Sequence, residues 1–294
     1  MIRRTFQLVP GVGPWREKDL WARGIAHWDD FPAEGGKAAI SSKVDERVRA
    51  RLGQAQAALE KGDLATLAKM LPPREHWRLY RAFEKDAVFF DIEADGPPSQ
   101  SPTVVSLFHE GGIEVFIEGR NLHQLPEALA AHRLWVTFNG SCFDVPVLKR
   151  HFGALPTPGA HIDLRFVCRR LRMPGGLKGI EDALGLSRPP HLRGVDGWDA
   201  IILWRAYRSR GDLEALRFLV EYNLYDSVNL KALMDIAYLR AADDLACEVA
   251  RQPAFERGDV LYDVSRQVMA LGPTARDLGV LERVRSQDRD LSRD

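Results

Sequence analysis

A chain of 294 residues with an apolar fraction of 45% and three cysteines has the composition of a soluble globular protein, long enough to bury its own core without disulfides. Basic and acidic residues are equal in number, 41 each, which excludes a protein that coats nucleic acid by bulk charge but allows a local basic groove. Cys142, Cys168 and Cys247 are widely spaced, odd in number and form no CxxC pair. Neither a disulfide framework nor a thiolate zinc site is expected, and a reducing, cytoplasmic setting is.

The first ten residues carry basic side chains but only a broken apolar stretch before Pro10, too short for the core of a signal peptide. The longest apolar runs, such as Ala200 to Trp204, fall far below the roughly 20 residues that cross a bilayer, so no membrane association is expected. Residues 1–82 lack strand alternation and read as a small helical module with a linker. Turn signals stand at Pro10-Gly11-Val12-Gly13-Pro14 and Glu34-Gly35-Gly36, and helical patterns run from Trp15 to Arg23, Ser41 to Lys61 and Asp63 to Met70 before the breaker Leu71-Pro72-Pro73. Gly11 and Gly13 ahead of a helix would present backbone amides at its N-terminus, a ready anion site. A turn that packs the leader against the rest of the molecule is the competing reading, and both stand at this point.

From Ala87 the character changes. Ala87 to Glu93 is a short, strongly apolar run ending in carboxylates and a turn at Asp95-Gly96-Pro97-Pro98, the pattern of a buried strand. Further strands are expected at Thr103 to Phe108, Ile113 to Ile117, Leu134 to Phe138 and around His161 to Leu164. Asp144-Val145-Pro146 has the form of a helix start with Pro just inside it. Helical patterns then cover Leu177 to Leu184, Trp198 to Arg208 and Asp212 to about Arg240. Strands first, then strands alternating with helices, imply an α/β sheet of mixed direction over residues 83–240. Residues 241–294 read as a polar helical extension whose end, Gln287 to Asp294, is expected to fray.

The chemistry concentrates in three places. Alternation along the first strand puts Asp91 and Glu93 on one face, about 7 Å apart at the α-carbons. Like charges so close on a central strand need solvent or a cation between them. Tyr222 and Asp226 are four residues apart on a helix and share a face. Asp144 by itself would pass for a helix cap. Lys149 to Arg193 adds nine basic residues against three acidic ones and the flexible loop Pro174-Gly175-Gly176, a surface a phosphate backbone could follow; Phe143 and Trp198 could stack on bases or serve only as core or groove wall.

Phe90-Asp91-Ile92-Glu93-Ala94-Asp95-Gly96, Phe138-Asn139-Gly140-Ser141-Cys142-Phe143-Asp144-Val145-Pro146 and Tyr222-Asn223-Leu224-Tyr225-Asp226 together resemble the YprB-like, RNase H-like branch of the DEDDy 3′–5′ exonucleases, with the motifs in that family's order. The leader, with Pro10-Gly11-Val12-Gly13 and Trp28-Asp29-Asp30-Phe31, resembles the helix-hairpin-helix-like segment that often precedes such domains. The resemblance implies an RNase H-like mixed five-stranded sheet flanked by helices, with a small N-terminal helical module. It implies that Asp91, Glu93, Asp144 and Asp226 hold two divalent cations, Mg²⁺ or Mn²⁺, and that Tyr222 orients the attacking water. DNA or RNA, with single-stranded 3′ ends, is the expected substrate. Its expected contacts are Gly11, Gly13, Asn139, Phe143, Lys149, Arg150 and Lys178. Ala94 departs from the Thr or Ser the family carries there, and Asp95 adds charge unless it belongs to the turn before Gly96. A nucleic-acid-binding protein that keeps the fold with weak or no catalysis is the alternative.

Overall fold

The computed structural model describes residues 1–34, 39–246, 260–272 and 279–291. Five strands, β1 (Ala87–Ala94), β2 (Pro102–His109), β3 (Gly112–Ile117), β4 (Leu134–Thr137) and β5 (Ala160–Asp163), form one sheet in the order β3-β2-β1-β4-β5. β1 pairs antiparallel with β2 and parallel with β4; the β2–β3 pair is antiparallel and the β4–β5 pair parallel. β1 is therefore the central strand. It is covered on both faces, which is why it reads as an almost unbroken apolar run.

The helices are α1 (Pro14–Ala22), α2 (Ser42–Glu60), α3 (Leu64–Met70), α4 (Leu125–Ala130), α5 (Asp144–Phe152), α6 (Leu164–Arg170), α7 (Leu177–Leu184), α8 (Gly197–Arg210), α9 (Leu213–Asp244), α10 (Ser265–Met269) and α11 (Val280–Leu291). Val88, Phe90 and Ile92 on one face of β1 pack with Leu125 and Leu129 of α4 and Val147 and Leu148 of α5. The alternate residues face the other way. Phe89 joins a second cluster that contains Leu230, Leu233 and Tyr238 of α9, and it is on this side that Asp91 and Glu93 project.

The leader belongs to that same second cluster. Phe6, Leu8, Val12, Leu20 and Trp28 are buried in one continuous core with Trp77, Tyr80, Phe89, Leu134 and Val136. Beneath them lies an ionic knot. Glu17 accepts from the Thr5 hydroxyl at 2.6 Å, the Phe6 amide at 2.8 Å, the Gln7 side chain at 2.8 Å and Arg78 at 2.8 Å. Arg78, fully buried, also donates to Glu75 at 2.7 Å, and Arg170 reaches Glu75 at 2.9 Å. Ahead of the Gly11 turn there is a single 3₁₀ turn, Ile2–Arg4, where a hairpin between helices would have a first helix.

At the other end, the expected fraying of Gln287 to Asp294 is corrected: α11 continues to Leu291, and residues 292–294 lie outside the described part. Tertiary ties hold it. Arg285 pairs with Asp199 of α8 at 2.6 Å, Arg283 with Asp212 at 2.6 Å, Arg210 donates to Gln287 at 2.7 Å, and Val284 is buried. No described helix is long and apolar enough to cross a membrane. Cys142 and Cys168 are free thiols, and Cys247 lies outside the described residues.

Candidate active site

The site is built by docking α9 on β1 and β2. Ser106 of β2 is the cross-strand partner of Asp91. Its hydroxyl donates to the Asn223 carbonyl at 2.9 Å, the Ser227 hydroxyl donates back to the Ser106 carbonyl at 2.9 Å, and the two hydroxyl oxygens lie 2.7 Å apart. These buried polar contacts fix the register of helix against strand, because any slip would strand hydroxyls without partners. The Asn223 amide then donates to Asp91 Oδ2 at 3.0 Å, and Asp226, one turn on, faces the strand carboxylates. One oxygen each from Asp91, Glu93 and Asp226 lie within 4.8 Å of one another. The β1–β2 register is irregular at Glu93 and Ala94, the kind of local bend that re-aims a side chain at a strand end.

Asp144 comes from a different device. After β4, Asn139 is left-handed (φ 67°), and at Gly140 a Cβ would stand 2.3 Å from Thr137 Oγ1, so glycine is required there. Asp163, at the end of β5, holds this turn: it accepts from the Asn139 amide at 2.8 Å, from the Ser141 amide at 3.1 Å and from the Ser141 hydroxyl, and caps α6 through the Arg165 amide. Phe143 takes the cap position of α5, and Asp144 is its first helical residue. Asp144 is thus free of capping duty. It is buried, and its Oδ1 has no hydrogen-bond partner. It stands outside the tight triad, yet its charge acts on both Asp91 and Glu93.

The electrostatics are those of a negative cluster short of cations. Burial, then the charges of Asp226, Asp144 and Glu93, push Asp91 well above the usual carboxylate range, and burial together with Asp226 does the same to Glu93. Asp144 is pushed up to about 7, chiefly by burial. Burial and the nearby carboxylates also raise the Tyr222 phenol far above its ordinary value. Lys178 Nζ lies 4.4 Å from the Tyr222 ring centroid and donates to its oxygen.

Three of the residues on the functional side were not singled out by sequence. Arg188, which looks like one more surface cation of the basic segment, is buried. It forks onto Glu181 at 2.6–2.9 Å and reaches Asp226 Oδ1 at 2.5 Å, and Asn229 of α9 donates to Glu181 at 3.0 Å. The sequence signal was the polar Asn229, three residues beyond Asp226 on the buried stretch of α9.

The remaining expected contacts scatter. Lys178 is at the site. Phe143 is half-buried against the α4–α5 core, and Asn139 gives its side-chain oxygen to Arg165. Lys149 and Arg150 are exposed on the last turn of α5, about 8–9 Å along its axis from Asp144. Gly11 (φ 88°) turns the chain before α1, and its carbonyl accepts from Arg16 at 2.6 Å; Gly13 occupies the cap position. Trp198 is exposed beneath Arg205. Asp95 is engaged by its own turn, accepting from the Ser99 hydroxyl and from the Ser101 amide at 2.8 Å.

A second group, His109, Glu114 and His132, also brings ligand atoms within 4.8 Å. The Gly111 amide donates to His109 Nδ1, which leaves Nε2 as the protonated nitrogen, and it is spent on Glu114 at 3.0 Å. That tautomer offers a cation no lone pair.

A family model described as the RNase H superfamily matches residues 88–238, more than half of the chain. The chain belongs to the RNase H superfamily. No curated protein and no solved structure matches it. Members of the RNase H superfamily generally hydrolyse phosphodiester bonds and use divalent metals. The matched span runs from β1 into α9 and contains Asp91, Glu93, Asp144, Tyr222 and Asp226. The donor set suits a hard cation: carboxylate oxygens from strand and helix, with the Asp144 oxygen buried and unpartnered.

Proposed function

We propose that this RNase H superfamily chain is a metal-dependent 3′–5′ exonuclease of the DEDDy type, in the YprB-like branch, acting on single-stranded 3′ ends of DNA or RNA. The observation that carries the reading is the meeting of Asp91, Glu93 and Asp226, from elements over 130 residues apart in sequence, with the unpartnered Oδ1 of Asp144 beside them. Asp91, Glu93, Asp144 and Asp226 would hold two divalent cations, Mg²⁺ or Mn²⁺. When bound, such cations activate water and stabilise the leaving 3′-oxygen.

Tyr222 supports the same reading. Its phenol stays protonated at neutral pH, so it is no general base, and because its oxygen accepts from Lys178 its own proton is free to orient the attacking water or a phosphate oxygen. Lys178 stands where a phosphodiester would need a positive neighbour. Phe143 and Asn139, next to Asp144, are suited to contact the terminal nucleotide, and Lys149 and Arg150 to follow the chain further out. Gly11 and Gly13, at the turn into α1, would grip phosphate at the start of that helix.

The second reading is a binding protein with a silent site, and Ala94, which offers no hydroxyl to the substrate, favours it. Asp95 does not add to that case, since its carboxylate is taken up by the turn. Digestion of 3′- and 5′-end-labelled single-stranded DNA and RNA with Mn²⁺ decides. Stepwise shortening from the 3′ end that is lost in the Asp144→Asn protein is expected. Tight binding without cleavage in either protein would leave the silent-site reading.

A further inference from the structure

Arg188 is a buried cation that the proposed reaction does not itself require, lodged against one of the four carboxylates. α7 ends at the left-handed Gly185, whose reversal, closed by the Leu186 amide on the Glu181 carbonyl at 2.9 Å, folds Arg188 back beside Glu181 seven residues earlier. Glu181 accepts from both Nε and Nη2 of Arg188 and is itself held by Asn229, so the pair is anchored to α9 independently of Asp226. From that anchor Arg188 Nη2 takes Asp226 Oδ1 at 2.5 Å, while its Nη1 is buried with no partner, and its guanidinium carbon lies 5.9 Å from the Tyr222 ring centroid.

We propose that Arg188, set by Glu181, is a positioning residue of the metal centre: it occupies one oxygen of Asp226 permanently, so that Asp226 offers a cation only its other oxygen, in one orientation. The inference rests on the nuclease reading and deepens it. An anchored guanidinium keeps four mutually repelling carboxylates together before any metal arrives. It also repels an incoming cation, and Glu181 tempers that repulsion. Removing Arg188 and removing Glu181 should therefore move cation affinity in opposite directions, which a pair that merely supports the fold would not do.

The test is Mn²⁺ binding to the full-length protein, read from loss of the free-ion electron paramagnetic resonance signal, alongside circular dichroism and cleavage of labelled single-stranded DNA. R188Q should bind Mn²⁺ about tenfold more tightly and E181Q about tenfold more weakly, as expected for a unit charge gained or lost near the ion. R188K should return affinity toward wild type, and the double variant should lie near it. R188Q should also lose kcat with little change in KM, because the ligand geometry is no longer fixed. If R188Q does not fold, E181Q and the double variant still carry the prediction. Shifts in the same direction, or none in either folded variant, would overturn the positioning role while leaving the nuclease reading intact. Absence of Mn²⁺ binding by the wild-type protein would overturn both.

Discussion

Two regions of this molecule bury clusters of carboxylates, and they treat them differently. In the leader, Glu17 and Glu75 face Arg78 and Arg170, and Glu17 accepts four hydrogen bonds from named donors. At the β1–α9 junction, five carboxylates (Asp91, Glu93, Asp144, Glu181, Asp226) face two cations, Arg188 and Lys178, and one Asp144 oxygen has no donor at all. In the first, each carboxylate has its cation, although Arg78 Nη1 and Gln7 Oε1 are left without partners; in the second, the carboxylates outnumber the cations by five to two. Buried charge alone therefore says little about function, whereas a deficit of partners says a good deal.

The widest break in this comparison would come from cutting the leader away. Residues 1–82 share a core with Phe89, Leu134 and Val136, so a fragment beginning at residue 83 should lose its cooperative thermal transition. A sharp melt for that fragment would mean that the leader is a separable appendage, acting on nucleic acid as a phosphate grip of its own.

Next in size is Asp144→Asn. It removes a charge from the deficient cluster without opening a cavity, so nuclease activity should fall by roughly a hundredfold or more while the metal-free melting temperature holds or rises. Unchanged turnover in the purified variant would remove Asp144 from the proposed site. Arg78→Met, in the leader's cluster, should do the reverse. Leaving Glu17 without its cation, while Glu75 keeps Arg170, is expected to cost about 3–5 kcal/mol in urea unfolding, with kcat per folded molecule unchanged.

The smallest effect is one of pH. Burial raises Asp144 from an ordinary 3.8 to about 7 in the folded protein, and Asp91 and Glu93 move in the same direction. The folded state thus binds more protons than the unfolded one across this interval, so this cluster's contribution to metal-free stability is fully present below about pH 4 and is lost as pH rises to about 7. Saturating Mn²⁺ should flatten that decline by supplying the missing charge. A metal-free melting temperature that climbs between pH 5 and 8 would contradict it.

Much of this was legible beforehand because it is local. Continuous apolar runs and a helix start with an internal proline marked all five strands and the frame around Asp91, Glu93 and Asp144. Tyr222 and Asp226 declared themselves by helical spacing. What stayed hidden depends on chain reversals. Arg188 meets Glu181 only because Gly185 turns left-handed, and the nine-to-three basic excess in which Arg188 sits points to the surface when the residue is inside. Asp163 looked like the end of a strand, and nothing local says that its carboxylate ties down the turn before Asp144. The end of α11 was read as frayed for a similar reason: its own sequence is polar, and what holds it is ion pairing to α8 and to the start of α9.

α9 carries one more implication. The helix that presents Asp226 also meets the leader further along, where Tyr80 donates to Asp235 at 2.9 Å and the ring of Trp77 packs edge-on against Tyr238 at 5.8 Å. Asp226 and Tyr238 are separated by about 18 Å of helix, short enough to behave as a stiff rod. Leader and carboxylates are therefore mechanically in series.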